Sequence, residues 1–265
     1  MVVCTLIFGK SSDQGFTFSF ENLINNSTFS NNAVGVQLSS SKAIFDNCQI
    51  HNNSSYGIEI NGNNNSLTLN NSEIHDNNNQ GIYVDQNYNE YTNLTINGSN
   101  IYNNTHGIEI SRHYSSNNDT QFNITNTNIY NNTNHGFYIT SNNSSIYFNN
   151  VDRNFNNCSI YGNGSSGIII NSHSNDYHQF SRPNITNCII RDNDQDGVYH
   201  VGAITNSIIV GNEGWGVKGS HAPVINSTIA TNGNGLEEPG DIVNSIIFFN
   251  SNAQITYAQG AVTYS

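Results

Sequence analysis

Leu67-Thr68-Leu69-Asn70-Asn71-Ser72-Glu73-Ile74-His75-Asp76-Asn77-Asn78-Asn79-Gln80-Gly81-Ile82-Tyr83-Val84 holds one complete structural repeat. Leu67 and Leu69 alternate with polar residues, the period of a half-buried strand. Asn71 suits a corner, because asparagine tolerates left-handed backbone geometry better than other residues that carry a side chain. Ser72 and Ile74 then point inward on a second strand, Asn77 closes another corner, and Ile82 and Val84 face inward on a third strand. The same frame recurs in both directions, with asparagine at Asn32, Asn53, Asn77, Asn104, Asn132, Asn163, Asn193, Asn212, Asn232 and Asn250. Six residues before each stands another asparagine, replaced once by Gly98, and midway lies Phe29 or an isoleucine.

A short fixed motif at irregular spacing means a stack of similar coils with loops of differing length. Three short strands per coil, each paired with its counterpart in the next, give an all-β fold of about ten coils with three parallel sheets around a dry core. We read residues 1–265 as a single domain, with an N-terminal edge at 1–15, coils over 16–250 and a C-terminal edge at 251–265. That last segment is expected to fold back over an apolar face. No long 3.6-residue period exists, and Asn, Ser, Thr and Ile are indifferent helix formers.

Seven basic residues stand against nineteen acidic ones, a net charge of −12. Nucleic acid and anionic membrane surfaces are poor partners for such a chain, and no apolar stretch is long enough to span a bilayer. The opening Met1–Gly9 is short, lacks a basic start and reads as a first strand. Cys48, Cys158 and Cys188 each follow a first-ladder asparagine (slots filled elsewhere by serine or threonine) and are expected to be free buried thiols.

The frame over Phe16–Asn250 resembles the right-handed parallel β-helix repeat of the pectate-lyase-like superfamily. Asn244-Ser245-Ile246-Ile247-Phe248-Phe249-Asn250 is similar to terminal coils of bacterial surface proteins with this repeat. The resemblance implies that the outer face of each Gly-Ile-x-Ile strand is a substrate groove. It does not choose among lyases, hydrolases, epimerases, adhesins and phage spikes. The Asp-rich and Gly-His-Gly motifs of polygalacturonase-type hydrolases are absent, as is the Asp-Pro-His-Glu type of motif of alginate epimerases, so no catalytic role carries over.

Groove-strand glycines Gly35, Gly57, Gly81, Gly107, Gly136, Gly167, Gly197 and Gly216 are spaced by 22, 24, 26, 29, 31, 30 and 19 residues. The excess lies in loops at Ser111–Gln121, Thr140–Asn154 and Asn171–Pro183, and loops are where function is grafted. Outward groove residues are Gln37, Glu59, Tyr83, Glu109, Tyr138, Ile169, Tyr199 and Lys218. Tyrosines alternating with carboxylates suit sugar hydroxyls and ring faces.

Uronate lyase or epimerase chemistry needs a cation, a base and an acid. Arg112 or Arg182 fits the first, His106, His113 or His135 the second, and Tyr138 or Tyr114 the third, with Glu109 beside them. Glu59, Tyr83, Tyr114, Asp176, Tyr177, His178, Arg182 and Tyr199 are candidate substrate-binding residues. For hydrolysis, Glu59 and Glu109 stand two coils apart, about 9.6 Å by strand spacing, near the upper end for an inverting pair. No cofactor is required; calcium could use Asp85 and Glu90, or Asp192, Asp194 and Asp196.

These residues point to a polysaccharide or glycan partner and an extracellular or cell-surface place. An enzyme acting on an acidic glycan, a non-catalytic adhesin or spike module, and a fibre subunit stacking through coil ends or the apolar C-terminal face all fit.

Overall fold

The structure, a computed structural model, describes residues 7–9, 16–18, 22–87, 90–112, 120–141, 152–171 and 182–263. One coil consists of the strands Asn65–Asn70, Glu73–His75 and Ile82–Gln86. Each pairs in parallel with its counterpart one coil on, as in Ile74 with Ile101 and Tyr83 with Glu109. Among the described residues this gives three parallel sheets of eleven strands each, a parallel β-helix. The first sheet holds Glu73–His75, the second, or groove sheet, Ile82–Gln86, and the third Asn65–Asn70. Leu67, Leu69, Ile74, Ile82 and Val84 are fully buried. They belong to one apolar core that runs along the stack, as the alternation in the repeat requires.

The first corner is left-handed in every copy: Asn71 has φ 48°, Asn126 φ 52°, and Gly98, the one replacement, φ 64°. The second corner differs from the sequence expectation. Asp76, with φ 53°, takes the left-handed turn, and Asn77 points inward, buried. There Asn53 Nδ2 donates to Asn77 Oδ1 at 2.9 Å, and Asn77 Nδ2 donates to Asn104 Oδ1 at 2.9 Å. The backbone N–H groups of Asn53 and Asn77 also donate to the next amide oxygen, both at 3.1 Å. Only a primary amide offers this combination of donors and acceptor at one buried point. The glycine of the motif follows from the same packing. A Cβ on Gly107 would lie 2.5 Å from Gly136 O and 2.6 Å from Ile129 Cγ2.

The C-terminal segment does not fold back. Ile255–Thr256 and Val262–Thr263 add one more strand to the second and third sheets, because continuing the ladder satisfies backbone groups that a cover would leave open. Ile189, Ile208, Ile246, Phe248 and Phe249 therefore stay exposed. On the first sheet, His51, His75, Tyr102, Tyr130 and Tyr161 stack in one outward row, with neighbouring ring centroids 4.8–5.0 Å apart. Cys48, Cys158 and Cys188 are buried free thiols.

Candidate functional site

Two side-chain rows run along the groove sheet. The outer row follows from strand register: Gln37 pairs with Glu59, Glu59 with Tyr83, Tyr83 with Glu109, and Glu109 with Tyr138. Ile169, Tyr199 and Lys218 continue it. The other row is built from the residues before the groove glycines Gly57, Gly81, Gly107 and Gly136: Tyr56, Gln80, His106 and His135. Only its two histidines stand out in the sequence. Tyr56 and Gln80 become legible once position relative to the glycine, rather than residue type, is the criterion.

The rows touch diagonally from one coil to the next and, at the two histidines, also within a coil. Tyr56 stacks on Tyr83 with centroids 4.8 Å apart, and Gln80 Nε2 donates to Glu109 Oε2. His106 stacks on His135 at 5.3 Å and on Tyr138 at 5.4 Å, and its Nε2 lies 3.8 Å from Glu109 Oε2. His135 approaches Tyr138 at 4.9 Å. Further up the row, Gln37 Nε2 donates to Glu59 Oε2 at 3.0 Å.

Protonation follows from burial and from these bonds. Nδ1 of His106 accepts the backbone N–H of His135 at 3.3 Å, and Nδ1 of His135 accepts that of Ser166 at 3.1 Å. Burial holds both imidazoles neutral, with pKa values of about 4. With Nδ1 accepting, the ring proton sits on Nε2. Each ring therefore enters the groove as a donor, not as the free base the sequence suggests. Burial raises the pKa of Glu109, against the lowering effect of Gln80, and that of Glu59, against Gln37.

The arginines differ most from expectation. The sequence places Arg112 in a loop, but it ends the strand Ile108–Arg112 and is buried, 2% exposed. Arg153 starts the strand Arg153–Asn156, is likewise buried, and its Nε donates to Thr120 O at 3.0 Å. Both occupy inward positions, since Gln86 precedes Arg112 and Phe122 precedes Arg153 in register. Arg182 is half-buried, and its Nη1 donates to the Gly219 and Ser220 carbonyls at 3.2 and 2.6 Å. Burial lowers its pKa.

Tyr199 lies beyond this cluster, with Lys218 Nζ 5.6 Å from its ring centroid and Lys218 paired to Asp196 at 3.8 Å. His113, Tyr114, Asp176, Tyr177 and His178 lie outside the described residues. Among the described residues, no group of three or more His, Cys, Asp or Glu gathers as a metal site, and Asp192, Asp194 and Asp196 do not converge. Also among them, no helix is long and apolar enough to cross a membrane.

Residues 14–177 match the family model described as "Right handed beta helix region". The fold is similar to the crystal structure of pectate lyase Pel9A, at 14% identity and a TM-score of 0.51, over 99% of this chain and 72% of that one. The Azotobacter vinelandii mannuronan C-5 epimerase AlgE6 A-module aligns at 12% identity and a TM-score of 0.36, over 94% of this chain and 77% of that one. No curated protein sequence matches the chain.

Proposed function

The chain belongs to the right-handed β-helix family, and from that premise we propose that its groove sheet binds a polysaccharide chain laid along the coil axis. One observation carries the reading: Glu59, Tyr83, Glu109 and Tyr138 line up in register beside Tyr56, Gln80, His106 and His135. Aromatic walls with converging donors and acceptors are what sugar rings require. The row repeats at strand spacing, about 4.8 Å per coil, so a polymer engages several copies at once.

Charge narrows the ligand. Glu59, Asp85 and Glu109 put carboxylates on this face, whereas Arg112 and Arg153 lie in the core and Arg182 serves backbone carbonyls. The loop stretches 113–119, 142–151 and 172–181 contain no Lys or Arg. Along this stretch a uronate polymer would meet like charge, the outer-row cation Lys218 lying three strands beyond Tyr138 and paired with Asp196, so we place an uncharged polysaccharide first and an acidic one second. Binding without turnover is the activity this supports, at the outside of the cell or on its surface.

A polysaccharide array read together with a turnover screen tests this. Uncharged polymers should be retained, Tyr83→Ala and Tyr138→Ala should weaken retention, and no new reducing ends should form. Silence across the array would remove the reading. A gain of ultraviolet absorbance on a uronate polymer would replace it with the lyase alternative.

A further inference from the structure

The hydrogen-bonding sense of the groove identifies what its centre can hold. Nδ1 of His106 and Nδ1 of His135 are each occupied by a backbone N–H from the next coil, at 3.3 and 3.1 Å. Both rings therefore have one remaining function, an Nε2–H donor. The two donors belong to adjacent coils, on rings 5.3 Å apart. Glu109 brings the opposite character. Its Oε2 takes the Gln80 amide and faces His106 Nε2 at 3.8 Å, so the carboxylate offers acceptor capacity and no donor.

A ligand group satisfying both must accept from an imidazole N–H and donate to a carboxylate. A hydroxyl does both, whereas a carboxylate cannot donate and is repelled by Glu109. We infer that His106, His135 and Glu109 form one subsite that reads adjacent hydroxyl groups on an uncharged sugar ring, with Tyr138 as its wall. Tyr138 suits that part, since its ring lies 5.4 and 4.9 Å from the two imidazoles. The cation on the outer row, Lys218, stands three strands away through Ile169 and Tyr199. The inference rests on the polysaccharide reading above and adds the chemical identity of the bound group.

The test has an arm that needs no ligand. Long-range proton–nitrogen spectra of the full chain with labelled histidine, at pH 7, should show His106 and His135 as neutral Nε2–H tautomers. Protonated rings or Nδ1–H tautomers would overturn the inference.

The binding arm uses soluble β-glucan, galactan and arabinan against polygalacturonate. His106→Phe and His135→Phe keep a ring in place but remove the donor, and each should weaken binding of the preferred uncharged polymer about 2- to 10-fold, the scale of one hydrogen bond. His135→Gln retains a side-chain N–H and should recover part of the loss. Glu109→Gln should narrow the gap between uncharged polymer and polygalacturonate. Melting curves of each variant separate lost binding from lost fold.

If Tyr83→Ala abolishes binding while both phenylalanine variants bind as the parent does, the groove reading stands and the subsite is refuted. Preference of the parent for polygalacturonate refutes the subsite too. Absence of binding to any polymer refutes both.

Discussion

The backbone N–H of Ser166 donates to Nδ1 of His135 at 3.1 Å, across the boundary between two coils. Protonating that ring means breaking a bond that the stack itself makes. His106 and His200 share the depressed value of about 4, whereas an unfolded histidine titrates near 6.5. The unfolded chain therefore binds more protons between these values. The stability involved is fully present above about pH 6.5 and is lost as pH falls toward 4. The raised carboxylates Glu59, Glu109, Asp196 and Glu237 act oppositely, favouring the fold as they protonate. We expect the histidines to prevail, so the urea midpoint falls from pH 6.5 to 4.5, and His135→Gln reduces that slope. A midpoint flat with pH in both proteins would contradict the buried neutral imidazoles.

The two asparagine ladders should respond differently to substitution. Asn104 is buried and accepts both the Asn77 amide, at 2.9 Å, and the Asn77 backbone N–H, at 3.1 Å. Asn104→Ala strands those donors and should cost about 1–3 kcal/mol. Asn126, at φ 52°, holds a left-handed corner, and its exposed amide adds only solvent-facing bonds to Asn97 and from Asn157, at 2.8 and 2.7 Å. Asn126→Ala should cost about 1–2 kcal/mol, while Asn126→Gly, as Gly98 already shows in the same corner, should be nearly neutral. Equilibrium urea denaturation of the three variants distinguishes these outcomes.

Much of this was readable from Leu67–Val84 alone. Alternation named the inward residues, and because successive coils superimpose, it also put Glu59, Tyr83, Glu109 and Tyr138 in one outward row. Residue type was a poorer guide than position. Asn77 looks like a corner residue, yet its amide is worth more inside, bridging Asn53 and Asn104, than at the turn that Asp76 makes. Arginine in a polar stretch reads as loop, although the period of two through Ile108 and Ile110, and through Phe155, already puts Arg112 and Arg153 at inward positions. Histidine tautomers depend on backbone groups about thirty residues away in sequence, so no local pattern could reveal them.

Gly107→Ala should be far more damaging than a usual glycine substitution. The added Cβ would meet Gly136 O at 2.5 Å and Ile129 Cγ2 at 2.6 Å, with Asn132 Nδ2 at 3.1 Å. The carbonyl belongs to the next coil's backbone and cannot move without breaking the ladder, so the coils on either side must part. Overpacking of this kind exceeds the usual 1–3 kcal/mol or so. Soluble yield and thermal midpoint should both fall, against Gly233→Ala as a second close contact, where a Cβ would lie 2.0 Å from Glu213 O. Wild-type melting of Gly107→Ala would mean that neighbouring coils are not packed at this distance.

Arg112 separates the two glycan readings. In a uronate enzyme it would touch the sugar carboxylate, and its loss would abolish recognition. Here it is 2% exposed at the inward end of the strand Ile108–Arg112, so it faces the core and not the groove. Arg112→Ala should lower stability by about 2–5 kcal/mol, as for other large-to-small changes in a core. Arg112→Met fills most of the space and should fold better. At low temperature, with the folded fraction checked by circular dichroism, Arg112→Met should retain uncharged polysaccharide as the parent does. A folded Arg112→Met that no longer binds would bring the guanidinium back into the groove and restore the acidic-glycan reading.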